Sequence, residues 1–134
     1  MTSYILTTTV YKPYDETVEA VRAALSDQGF GILTEIDLKA TLKAKLDVDV
    51  EPQVILGACR PQLAHQALKA EPSIAAVLPC NVVVRAAGEA TTVVEAFDPD
   101  AMIALAGGNQ TLAAVATDAK TRLNAALSSL TQEI

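Results

Sequence analysis

At 134 residues and 51% hydrophobic content the chain is large enough for one domain, spanning 1–134, that buries roughly two-thirds of its unfolded surface. Its net charge of −6 argues against phosphate-backbone binding, since only Lys39, Lys43 and Lys45 cluster and they read as the wet side of a helix, so no nucleic acid is expected. No apolar run approaches the roughly 20 residues that cross a bilayer, and the first dozen residues lack the basic-then-apolar order of a signal peptide, so the chain is expected in the cytoplasm, away from membranes.

Ser3 to Tyr11, rich in Thr, Tyr, Ile and Val, predicts a strand that Pro13 stops. Asp15 is then placed to cap a helix with Val18, Val21 and Leu25 on one face. Gly29 closes that helix, and Phe30 folds back onto Leu25. A second strand, Phe30 to Ile36, puts Phe30, Ile32, Thr34 and Ile36 on one face with Leu33 and Glu35 on the other. Asp37 caps a second helix whose buried stripe is expected to be Leu38, Leu42 and Leu46. The acidic link Asp47 to Pro52 lacks the Gly and terminal Glu of a calcium loop, and it reads as solvated.

Gln53 to Ala58 predicts a buried strand, and Pro61 opens a third helix reaching about Glu71. Ser73 to Leu78 forms a loose turn before Pro79. Asn81 to Ala86 and Thr91 to Phe97 then make a hairpin through Ala87-Gly88-Glu89-Ala90. Asp98-Pro99-Asp100 starts a short helix, Gly107-Gly108 breaks it, and Asn109 starts a last helix. That helix carries a stripe of Leu112, Val115, Ala116, Ala119, Leu123, Leu127 and Leu130, which packs either on its own sheet or on a second subunit. The order β-α-β-α-β-α-β-β-α-α, with its late hairpin, predicts an α+β fold: helices on a mostly antiparallel or mixed sheet of about five strands.

Several separated motifs share a familiar order. They are Gly29-Phe30-Gly31-Ile32-Leu33-Thr34-Glu35-Ile36-Asp37, Ile55-Leu56-Gly57-Ala58-Cys59-Arg60-Pro61, Ala67-Leu68, Leu78-Pro79-Cys80-Asn81-Val82 and Asp98-Pro99. Together they resemble the bacterial and archaeal family called "domain of unknown function 302", from Tyr11 to Leu130. The resemblance implies a small α+β protein that associates as a dimer, with no activity to carry over. Arg60 stands where the family pattern leads one to expect a small polar residue such as Asn.

Candidate chemistry gathers around the only two cysteines. Cys59 falls at the junction of a strand and a helix N-terminus, beside Arg60. A helix dipole and a neighbouring cation both lower a thiol's pKa and favour a reactive thiolate. The competing reading is a small buried residue at a tight turn. Cys80 opens a strand after Pro79, with Asn81 next to it, and the turn before it is expected to return it to the pocket of Cys59 without a permanent bond. The ligand-binding set is therefore Cys59, Arg60, Pro61, Cys80 and Asn81, with no catalytic residue assigned.

Other motifs add little. His65 lies six residues from Cys59, on the flank of its helix, and no C-x-x-C is present, so no zinc site is expected. Glu35 and Asp37 share a strand end, but Asp37 is already accounted for as a helix cap. Gly107-Gly108-Asn109 precedes a helix as an anion loop does, yet a break between helices suffices. No dinucleotide, phosphate-loop, nucleophile-elbow or metalloprotease motif occurs, and no cofactor is expected. The sequence points to a non-catalytic module binding a small ligand or partner near Cys59 and Cys80, and to a homodimer. The alternative is a thiol enzyme or redox protein in which Cys59 attacks and Cys80 resolves.

Overall fold

The computed structural model describes residues 4–105, 107 and 109–131. In chain order the elements are β1 (Ile5–Val10), α1 (Tyr14–Asp27), β2 (Gly31–Asp37), α2 (Leu38–Leu46), β3 (Gln53–Cys59) and α3 (Pro61–Ala70). A 3-10 turn (Pro72–Val77), β4 (Cys80–Gly88), β5 (Thr91–Phe97), α4 (Asp100–Leu105) and α5 (Gln110–Ser129) follow. This is the α+β order read from the sequence; Ser3 lies outside the described residues. The five strands run β1-β5-β4-β3-β2, and every neighbouring pair is antiparallel. The first and last strands are thus partners, and the hairpin of β4 and β5 forms the middle.

Helix ends follow local chemistry, with one correction. The N-cap of α1 is Pro13, which offers no side-chain acceptor, and Asp15 sits in the first turn instead of capping it. An acid there still meets the positive end of the helix. At the other end Gly29 adopts φ 84°, while the amides of Gly29 and Phe30 donate to Ser26 O and Leu25 O at 2.9 and 3.0 Å. This is the glycine-closed helix end that the sequence predicts.

β2 departs from simple alternation. Ile32 pairs with Ala58 but Thr34 pairs with Gly57, so Leu33 is an extra, bulged residue. A bulge shifts strand parity by one. Ile32 therefore does not share a face with Thr34 and Ile36; it shares one with Glu35, whose partner is Leu56. The expected stripe of α2 is also corrected. Asp37 does cap the helix, accepting from Ala40 N at 2.9 Å, yet none of its residues is buried and Leu46 is 67% exposed.

Elsewhere the alternation holds, except at Gly57, which is buried between Leu56 and Ala58. Val54, Leu56, Ala58, Val82, Val84, Val94 and Ala96 are buried, while Ile55, Val83, Arg85, Val93 and Glu95 between them are only half-buried. The buried set faces α1 and α5 through Val21, Leu25, Leu123 and Leu127. A second cluster joins Leu63, Met102, Leu112 and Val115, where α3, α4 and α5 meet. The stripe of α5 is internal from Leu112 to Leu127, so it packs on its own fold and is not spare for a partner. The opposite face of the sheet is left largely open. Among the described residues no helix is long and apolar enough to cross a membrane.

Candidate functional site

The segment Leu78–Asn81, which contains a cis peptide between Leu78 and Pro79, separates two recesses on opposite sides of the sheet. Register explains the first. β3 and β4 place Ala58 opposite Cys80, and Cys59, the next residue, ends its strand opposite Gly31. The helical layer then frames a partly open cavity of about 30 Å³, lined by Cys59, Cys80, Arg60, Met102, Phe30 and Leu63 among others. Cys80 is buried, Cys59 half-buried, and both are free thiols.

The electrostatics of this cavity run against an activated nucleophile. Burial pushes the Cys80 thiol up to about 11, and the neighbouring Cys59 adds to the shift. Burial raises the Cys59 thiol as well. The expected depression by the α3 N-terminus and Arg60 is therefore overturned: loss of water costs the thiolate more than these positive groups return. Arg60 is the N-cap of α3 and supplies no capping side chain. Its Nε–H is shielded from solvent and has no hydrogen-bond partner. A Cβ on Gly29 would come within 3.1 Å of that nitrogen, so Gly29 both closes α1 and lets the guanidinium lie across it.

The second recess lies on the open face. It is a hollow of about 400 Å³ whose lining includes Tyr4, Ile5, Pro79, Asn81, Val83 and Glu95. Asn81 is exposed there because β4 alternates: Cys80, Val82 and Val84 point to the core, Asn81 and Val83 away from it. Glu95 accepts from Arg85 Nε at 2.9 Å across the hairpin.

The five predicted site residues thus divide. Cys59, Arg60 and Cys80 line one cavity, Asn81 lines the hollow on the other side, and exposed Pro61 opens α3 without lining either. Sequence reasoning missed Met102, which Asp98-Pro99-Asp100 delivers by starting α4 close to α5. Asp98 Oδ1 accepts from Asp100 N at 2.9 Å. Lys120 ties that start to α5, bonding Asp98 and Asp100 at 3.2 and 2.6 Å, and these bonds raise its pKa. Also missed were Glu95 and Val83, for which the strand parity was the available signal.

The remaining candidates are occupied or isolated. His65 is exposed on α3. Glu35 pairs with Arg22, and Asp37 is the α2 cap. Asp47 and Asp49 both pair with Lys43. Asn109 accepts from Thr111 N and Leu112 N, capping α5, while Gly108 lies outside the described residues. Among the described residues no three His, Cys, Asp or Glu side chains converge as a metal site.

A family model described as "Domain of unknown function DUF302" matches residues 6–130. The crystal structure of an uncharacterised conserved DUF302 protein from Bacillus stearothermophilus is similar, with 29% identity and a TM-score of 0.84. The likeness covers 95% of this chain and 98% of that one. No curated protein matches significantly.

Proposed function

The chain belongs to the DUF302 family, and from that premise we propose that it is a non-catalytic binding module seating a small molecule at the Leu78–Asn81 segment. The observation that carries this reading is the open-face hollow. Its volume of about 400 Å³ falls within the range of roughly 300–1,000 Å³ typical of ligand sites. Ile5, Val83, Pro79 and Phe97 give it apolar walls, with Asn81 and Glu95 as the polar groups that would orient a guest. The ligand class is a compact amphipathic molecule with a donor for Glu95 and an amide- or hydroxyl-like edge for Asn81. Cys80, one residue before Asn81, fixes the strand from the core side. Reduced thiols fit a cytosolic setting.

A thermal-shift screen of a metabolite collection, followed by native mass spectrometry, tests this. A true ligand at 100 times its Kd adds about 2.7 kcal/mol of stability, and Asn81→Ala removes that gain. A screen without hits, or a hit indifferent to both Asn81→Ala and Val83→Glu, overturns the proposal.

The thiol-enzyme reading has less support, because both thiols are shifted towards the protonated form. Alkylation of Cys59 measured against pH decides it: an inflection below neutrality would restore that reading. Homodimerisation is also proposed, through the β2–α2 flank instead of α5, because Leu33, Ile36 and Leu46 are exposed there. Sedimentation at micromolar concentration should give twice the chain mass, falling to one chain in Leu33→Asp/Leu46→Asp. A monomer throughout would refute it.

A further inference from the structure

We propose that Cys59, Cys80 and Met102 form a soft-metal site that takes one Cu(I) ion. The chain holds two cysteines and two methionines, and apart from Met1 all of its sulfur-bearing residues line a single cavity. The three side chains arrive from different elements: the end of β3, the start of β4 and α4. At about 30 Å³ the cavity is too small for an organic ligand but has room for an ion. Thiolate and thioether donors select Cu(I), whereas calcium, magnesium and manganese require oxygen ligands. Zinc wants three or four converging nitrogen, thiolate or carboxylate donors, and only two such groups line this cavity. Met102, a donor that neither zinc nor calcium uses, supplies the third ligand.

Charge completes the case. Binding Cu(I) displaces one proton from each thiol to solvent and leaves the copper in its original oxidation state. The resulting copper dithiolate carries one negative charge. Arg60 lines the same cavity with one positive charge and a shielded Nε–H that has no acceptor. A buried donor without a partner is costly, and a buried charge needs a counter-charge. The dithiolate beside Arg60 answers both needs, leaving the cavity neutral. None of this depends on what occupies the open-face hollow.

The test is anaerobic titration of the purified chain with Cu(I) against the colorimetric chelator bicinchoninate. The expected result is one Cu(I) retained per chain, with an X-ray absorption spectrum showing a sulfur-only shell. Cys59→Ser and Cys80→Ser should each weaken retention by at least about 100-fold, and Met102→Leu, which keeps the packing volume, by about 10-fold. Circular dichroism checks that each variant folds. Should buried Cys80→Ser fail to fold, half-buried Cys59→Ser and Met102→Leu still decide. Asn81→Ala should leave copper retention unchanged, which separates this site from the open-face ligand. Complete stripping of the unmodified chain by bicinchoninate, retention indifferent to Cys59→Ser, or nitrogen in the copper shell would each overturn the assignment.

Discussion

Helices α2 and α5 carry the same kind of apolar stripe and end up in opposite circumstances. Leu38, Leu42 and Leu46 repeat every four residues, much as Leu112, Val115, Ala116, Ala119 and Leu123 recur at helical spacing. Every one of the latter is buried, whereas α2 has no buried residue. Both helices are capped by a side-chain oxygen, so local chemistry does not distinguish them. The difference is what lies opposite. α5 packs on α1, α3, α4 and strand β1, and its Leu123 and Leu127 join the core cluster of the central strands, while α2 packs on β3 and the edge strand β2. Periodicity identifies the apolar face of a helix, and topology decides whether anything covers it.

The largest effect expected from this contrast is between Leu123→Ala and Leu46→Ala. Leu123 is 1% exposed and sits in the main cluster, so its truncation removes buried contacts and leaves a cavity. A loss of about 3 kcal/mol in urea unfolding is expected. Leu46→Ala should stay within about 0.5 kcal/mol. If Leu46→Ala costs more than about 1 kcal/mol at concentrations where the chain is monomeric, the two helices are not as different as they look.

A slightly smaller effect concerns pH, and it belongs to the covered side alone. The Cys80 thiol ionises near 9.0 when exposed but holds its proton to about 11 in the fold. Between those values the unfolded chain has shed a proton that the folded chain keeps, so stability falls as pH rises. The contribution is fully present below pH 9 and is lost through about pH 11. At roughly 1.4 kcal/mol per pH unit the loss is on the order of 2–3 kcal/mol. Urea midpoints measured from pH 8 to 11 should show the slope, and Cys80→Ala should flatten it. An equally steep decline in Cys80→Ala would place the titrating group elsewhere.

Much of this covered side was legible in the chain. Gly29 and Phe30 announce the end of α1, Pro61 the start of α3, and Asp98-Pro99-Asp100 the start of α4, because each rests on bonds within a few residues. The uncovered side was not, for equally physical reasons. Leu33 looks like an ordinary strand residue, and only its pairing with β3 makes it a bulge that flips Ile32 against Thr34. The site shows the same division. Proximity to Pro61 and Pro79 marked both thiols, but Met102 is 22 residues beyond Cys80 and enters only through the docking of α4. Asn81 was grouped with its chain neighbour Cys80, although strand alternation sends the two to opposite faces. The charge of Arg60 beside Cys59 is visible in sequence, whereas the desolvation that raises both thiols is not.

Between these regions lies Gly29, where the covered helix α1 hands over to the edge strand β2. With φ 84° it occupies the left-handed region that a Cβ disfavours by about 1–2 kcal/mol, and the added methyl would press on Arg60 Nε. Gly29→Ala should therefore cost about 1–2 kcal/mol in urea unfolding. A neutral result would mean that the helix end relaxes, and that Arg60 is not held where the copper site needs it.

The smallest effect sharpens the comparison most, because it asks whether α2 unfolds with the rest. Asp37 accepts from Ala40 N, and Asn109 accepts from Thr111 N and Leu112 N; replacing either by Ala removes about 1 kcal/mol of cap stabilisation from its own helix. For α5, whose stripe reaches both core clusters, that loss should appear almost undiminished in global unfolding. For α2, which buries none of its residues, opening of the helix alone should precede global unfolding. Asp37→Ala should then leave the urea midpoint nearly unchanged. Its effect should appear as about fivefold faster hydrogen exchange at amides of α2, since 1 kcal/mol is about a factor of five in an opening equilibrium. Exchange in α5 should stay as it was. If Asp37→Ala shifts the midpoint as much as Asn109→Ala does, α2 is part of the cooperative unit and its exposed leucines are merely surface.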